Sequence, residues 1–297
     1  MTWSKFFLTL GAFVLTAFAI DRLYAPIPTW ADHMLQQYAK KKDSVGVILI
    51  GNSHTGAIRD RQIGGLPVMN LSVAGIELGD RLTLLNEVLK SKGSLRYVIM
   101  SMDYDQIGHK TSDQRVGNML LPYSIENDKS LGGYLKRINT NNFLRHNRDF
   151  GVLRQYWSGG IDFDKEVNFI PVGFRNKADA EACRKRALEL STLSFSEGRI
   201  NRNLEIALEI SRNLTAHGVQ LVLLNTPKTK CLTESYTGQF KQAYRERLAG
   251  FASTHRIPFL DFQGDPRFSD EDFIDFDHLN AAGTAKLCSL IAPALGQ

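Results

Sequence analysis

Apolar residues fall along this chain in two patterns. Short continuous runs at residues 45–50, 68–75, 96–102, 219–227 and 257–261 are rich in Val, Ile and Leu and are bounded by turn-forming residues. Strands buried on both faces of a parallel sheet read this way, because neither face has to be polar. Between the runs lie stretches with helical spacing. Residues 76–90 carry apolar side chains at 78, 82, 85 and 89 and stop at Lys92-Gly93; 199–217 stop at Gly218; 235–255 and 281–295 follow. Five strands separated by helices predict an α/β fold: a doubly wound, mostly parallel five-stranded sheet with right-handed crossovers. From residue 105 to about 195 the periodicity weakens, over a length no ordinary connection needs. It reads as an irregular insertion, within a domain spanning 45–297, that packs over the site or recognises substrate.

The first 23 residues break the pattern. Phe6 to Ile20 carries no charge, and Trp3 and Leu23 extend the run toward the about 20 apolar residues a membrane-spanning helix needs. Ala17-Phe-Ala19 also fits the small-x-small site of a cleaved signal peptide. An uncleaved membrane anchor is the preferred expectation, since the run continues into a helical Asp21-Arg-Leu-Tyr24. Secretion after cleavage is the alternative. Both put the main domain outside the cytoplasm, on the periplasmic or extracellular face. Residues 24–44, with Pro26, Pro28 and a Lys-rich helical piece, suit a juxtamembrane stalk.

Composition narrows the classes. At 297 residues, 43% hydrophobic and 23% charged, the chain is that of a folded globular protein. Its formal charge of +5 is not gathered into a basic stripe interleaved with aromatics, so nucleic acid is not an expected partner. Cys183, Cys231 and Cys288 lack the close pairs a zinc site uses. Cys288 falls in the apolar last helix as a buried thiol, while Cys183 and Cys231 can pair in an oxidising compartment. Asp270-Glu-Asp272 with Asp275 and Asp277 is dense in acid but lacks calcium-loop spacing. No metal or cofactor is expected.

The candidate chemistry sits at the two ends of the α/β pattern. Strand 45–50 runs into Gly51-Asn-Ser-His-Thr55, placing Ser53 at the carboxyl end of a central strand, where open α/β sheets put their sites. A serine hydroxyl needs a base, and Asp275-Phe-Asp-His278 before the last helix offers one. His278 would take the proton and Asp275 would fix its tautomer. The bland alternative is that Asp275 or Asp277 simply caps that helix. His54 is a pocket residue or a cap of the helix that follows it. Asn225 and Lys228, at the end of the fourth strand, are candidate substrate contacts, although a lysine there is more often solvated.

Gly51-Asn-Ser resembles the first block of the SGNH (GDSL-like) hydrolases, Asn70-Leu-Ser-Val-Ala-Gly75 looks like the second, and Asp275-Phe-Asp-His278 matches the last. The resemblance implies a catalytic Ser53, Asp275 and His278, and an oxyanion hole built on the backbone N–H groups of Ser53 and Gly75. The third block departs: Ser101-Met-Asp-Tyr-Asp105 puts Asp103 or Tyr104 where the family has an oxyanion-binding asparagine. An ionised aspartate would repel an oxyanion, so Asp103 is not given that role. The apolar N-terminus together with this divergent block is similar to membrane-anchored proteins of cell-envelope acylation, among them alginate O-acetylation proteins and the D-alanyl-transfer protein of lipoteichoic acid synthesis. That likeness implies acyl transfer or ester hydrolysis on an envelope glycan or lipid, beside a membrane-bound O-acyltransferase partner. Two rivals stand: a catalytically degenerate domain that binds an envelope polymer or such a partner, and a secreted lipase-like esterase.

Overall fold

A computed structural model describes residues 3–58, 61–103, 107–108, 119–120, 123, 150–161, 179–192, 196–236 and 238–296. The chain forms two compact units, one of residues 1–36 and 113–166, the other of 37–112 and 167–297. In the first unit, helix α1 (Trp3–Tyr24) is long and apolar enough to cross a membrane by length and composition. Its large side chains, including Trp3, Phe7, Leu8, Phe13 and Leu15, are exposed. Helix α2 (Trp30–Lys41) follows after a proline-containing link. At its start, the Asp32 carboxylate accepts from the Thr29 N–H and hydroxyl at 2.7 and 2.8 Å.

The second unit holds the sheet. Its strands are β1 (Val47–Ile50), β2 (Gln62–Ile63), β3 (Leu66–Asn70), β4 (Tyr97–Ser101), β5 (Gln220–Asn225) and β6 (Phe259–Asp261), in the order β2-β3-β1-β4-β5-β6. All neighbours are parallel except β2 and β3. The sheet therefore has six strands rather than the expected five. The extra one is two residues long, too short to carry a period. It is turned back by Gly64 and Gly65, both at positive φ (55° and 73°), as a two-residue hairpin demands. The second expected strand also ends earlier than its pattern suggested, because residues 71–75 leave the sheet as a loop.

Helix α3 (Ser53–Gly56) follows β1, and α4 (Leu78–Leu89) lies between β3 and β4. Helices α5 (Phe150–Ser158, in the first unit) and α6 (Ala180–Thr192) fall within the expected insertion, most of which lies outside the described residues. Where it is described, the insertion is helical rather than irregular. Residues 180–192 are mostly Ala, Glu, Arg, Lys and Leu, strong helix formers, and Cys183, Ala187 and Leu190 make a narrow buried face at helical spacing. Asp179 caps them, accepting from the N–H groups of Glu181 and Ala182 at 3.0 and 2.9 Å. Helices α7 (Glu197–Ala216), α8 (Lys230–Ser235), α9 (Gly238–His255) and α10 (Ala281–Ile291) complete the unit. A disulfide between Cys183 and Cys231 ties α6 to α8, and Cys288 is a buried thiol.

The sheet is buried on both faces. Val47, Leu49, Ile99, Val222 and Leu224 join a core with Leu287, Cys288 and Ile291 of α10. The alternate residues Ile48, Ile50, Val98, Met100 and Leu223 are as fully buried. This is why the strands read as unbroken apolar runs. The strand order reverses between β1 and β4, the place where open α/β sheets put their sites beyond the carboxyl ends of the strands. Gly51 occupies the tightest point there: a Cβ on it would meet the Ser101 and Thr55 hydroxyls. Gly51→Ala should therefore lower stability by about 1–3 kcal/mol, read as a lower urea midpoint. An unchanged midpoint would contradict this packing.

Candidate active site

Ser53 is presented by a short local device. The chain leaves β1 at Ile50, and the Asn52 side chain accepts from the His54 N–H at 3.0 Å, starting α3 at Ser53. The Asn70 amide then pins this turn from the end of β3, donating to the carbonyls of Thr55 and Ile58 at 2.8 and 2.9 Å. The Ser53 hydroxyl lies 3.0 Å from His278 Nε2.

His278 is held from behind by a carboxylate turn. Asp275 Oδ1 accepts from the N–H groups of Asp277 (3.0 Å) and His278 (2.8 Å), and the same carboxylate faces His278 Nδ1 at 2.9 and 3.0 Å. Neither Asp275 nor Asp277 caps the last helix. Asn280 does so, accepting from the Gly283 N–H at 3.0 Å. A Cβ on Gly283 would run into the Asp272 carbonyl, so glycine lets α10 approach this turn closely. Ser53, His278 and Asp275 thus form one hydrogen-bonded line, with the base 6% exposed.

The other expected residues fall in different places. Gly75 lies in the loop after β3, at φ 77°, and that loop follows the serine turn because the Val73 N–H donates to the Gly51 carbonyl at 2.9 Å. His54 is no helix cap. Its buried ring meets that of His278 edge to face at 5.0 Å, and its Nδ1 lies 2.6 Å from Asp103 Oδ2 and 2.7 Å from Lys228 Nζ. A proton on Nδ1 serves Asp103; without it the lone pair accepts from Lys228. Lys228 is buried rather than solvated, and it also donates to the Thr226 hydroxyl at 3.1 Å. Asn225 is fully buried and turned to its neighbouring strand, donating to Asp261 and Gln263 at 2.8 and 3.3 Å. Its amide nitrogen joins β5 to β6, while its Oδ1 has no hydrogen-bond partner among the described residues.

Asp103 answers where the third block went. Its Oδ1 accepts from the Thr226 N–H and hydroxyl, both at 2.7 Å, and its Oδ2 is taken by His54. Burial opposes its ionisation, yet the charges of Lys228 and His54 and the bonds to it hold the carboxyl well below the usual range. Tyr104 lies outside the described residues.

Two residues had no assigned role in the sequence. Asp277 places Oδ1 3.0 Å from His278 Nδ1, and its Oδ2 accepts from Arg186 Nε and Nη2 at 3.1 and 3.0 Å. Its burial is outweighed by bonds from His278 and His54 and by the charges of His54 and Arg186, so its carboxyl too is held well below the usual range. Asp277 was visible in the motif itself, as the second acid of Asp275-Phe-Asp-His278. Arg186 belongs to no motif and carries no local signal. His54, Asp277 and His278 bring donor atoms within 4.8 Å of one another, a group that could hold a metal ion. The Arg186 and Lys228 cations beside them oppose one.

No protein-family model matches the chain, and no curated protein does. Among solved structures, one described as a "putative platelet activating factor" from Streptococcus pneumonia overlaps 99% of this chain and 100% of its own, at 12% identity and a TM-score of 0.47. A "putative acylhydrolase" from Bacteroides fragilis overlaps 90% of this chain and 97% of its own, at 14% identity and 0.44. A GDSL-like lipase from Bacteroides thetaiotaomicron overlaps 90% and 98%, at 11% and 0.42. Overlaps this loose carry no argument about chemistry. That argument rests on the side chains.

Burial alone would lower the pKa of His278. The bonds to Asp275 and Asp277 and their charges outweigh it and raise the value from 6.5 to about 9. A histidine with a folded pKa above its unfolded one stabilises the fold fully below the unfolded value and loses that contribution as pH rises through the folded value. The stability difference between the wild type and His278→Gln should therefore be largest below pH 6.5 and fade by about pH 9. Urea unfolding across that range measures it. A pH-independent difference would contradict the charge balance described here.

Proposed function

We propose that this chain is a serine-dependent acyl-ester hydrolase or O-acyltransferase of SGNH type. The observation that carries the reading is the line from Ser53 Oγ to His278 Nε2 (3.0 Å) and from His278 Nδ1 to Asp275 (2.9 Å). Ser53 attacks the acyl carbon as its proton passes to Nε2, and Asp275 stabilises the imidazolium. The backbone N–H groups of Ser53 and Gly75 receive the oxyanion. The leaving alcohol takes the proton from His278, and the acyl group stays as an ester on Ser53. Water or a sugar hydroxyl then gives His278 a proton and attacks the ester, and His278 returns that proton to Ser53 Oγ as its bond to the acyl carbon breaks. With Asp103 committed to Thr226 and His54, that residue gives the hole no side-chain donor. One such donor is worth about 10²–10³ in rate, which fits slow hydrolysis or a hydroxyl acceptor.

The substrate is an ester on a cell-envelope glycan or lipid, and the protein works tethered to the membrane, outside the cytoplasm, beside a membrane-bound O-acyltransferase. Two observations support this part. The exposed apolar surface of α1 suits a lipid environment, and the Cys183–Cys231 bond suits an oxidising compartment. The diverted Asp103 favours one rival, a domain that binds an envelope polymer without turning it over.

Turnover of p-nitrophenyl acetate separates them. Ser53→Ala and His278→Ala should each lower kcat/KM by at least about 10³-fold. Asp275→Asn should lower it by about 10²–10⁴-fold. Undiminished turnover in folded Ser53→Ala would overturn the catalytic reading and leave the binding domain.

A further inference from the structure

Around the proposed base lies a layer of charge that the Ser53–His278–Asp275 line does not use. Asp277 faces two imidazoles, with Oδ1 3.0 Å from His278 Nδ1 and Oδ2 3.7 Å from His54 Nε2. Arg186 donates twice to that same Oδ2. His54 is fixed in place, because its opposite edge is held between Asp103 and Lys228. The groups facing this centre thus come from every element around it. Asp275 and Asp277 lie on the base's own turn, His54 on α3, Asp103 after β4, Lys228 after β5 and Arg186 on α6. Arg186 is itself 3.6 Å from Glu189, and Arg81 of α4 acts on Asp103 from below.

His278 Nδ1 carries one proton and meets three carboxylate oxygens at 2.9, 3.0 and 3.0 Å. Two unshared carboxylates would hold the imidazolium so firmly that it would be a poor base near neutral pH. We propose that His54 and Arg186 are positioning residues that hold Asp277 Oδ2, draw its charge away from His278, and so set the pH at which His278 can accept the Ser53 proton. This rests on the reading of His278 as the base of Ser53. It also gives the disulfide a place: Cys183 lies three residues before Arg186 and fixes to α8 the helix that delivers it.

The test uses the full chain and two readouts: imidazole-nitrogen NMR of His278, and the pH profile of p-nitrophenyl acetate kcat/KM. Arg186→Gln and His54→Gln should each raise the His278 midpoint by about one pH unit, a tenfold change in its neutral fraction. Asp277→Asn should lower it by a similar amount. Arg186→Lys, which keeps the charge, should restore most of the wild-type midpoint. Arg186→Gln should add little in the Asp277→Asn background, since it acts through that carboxylate. Midpoints that stay put, or that move in the same direction in Asp277→Asn and Arg186→Gln, overturn the network. If they stay put while wild-type turnover still follows His278, the network falls and the catalytic reading stands. If they move as stated without turnover in the wild type, the network stands and the catalytic reading falls.

Discussion

Three aspartates, Asp103, Asp275 and Asp277, are buried together at the carboxyl edge of the sheet. Charges held away from water are costly unless each has a partner, and this requirement shapes the surroundings. Asp275 is answered by two backbone N–H groups and an imidazole, Asp103 by Thr226, His54 and Lys228, and Asp277 by Arg186 and the two histidines. The partners come from α3, the segment after β5, α6 and the turn before α10, so charge balance draws together segments far apart in the chain. Removing one member leaves its partner unpaired, so such a cluster is held together as a unit.

The fold brings these groups together by topology. The order β3-β1-β4-β5 puts the ends of β1, β4 and β5 side by side, and the segments beyond them supply Ser53 and His54, Asp103, and Lys228 in turn. Gly51 lets β1 turn tightly against β4, and Gly283 lets α10 close on the aspartate turn. The chemistry then needs only a hydroxyl at the start of α3 and an imidazole from the far end of the sequence. The same crowding explains the basicity of His278, which two carboxylates share.

Much of this was legible from patterns of single elements. The five parallel strands followed from apolar runs, and Ser53, Asp275 and His278 from two short motifs at strand and helix ends. What escaped was set by tertiary contact. The two-residue β2 has no period to read. Arg186 meets Asp277 across 91 residues of chain, a pairing that no local pattern encodes. The burial of Lys228 follows from its meeting Asp103 and His54, which lie more than 100 residues away in sequence.

The central claim is that burial and hydrogen bonding turn an ordinary hydroxyl at Ser53 into a nucleophile. Intact-mass and peptide mass spectrometry after exposure to a fluorophosphonate tests it most directly. The account predicts a single adduct on Ser53, absent from folded Ser53→Ala and from folded His278→Ala. A folded wild-type protein that forms no adduct, or forms one that persists without His278, would contradict it.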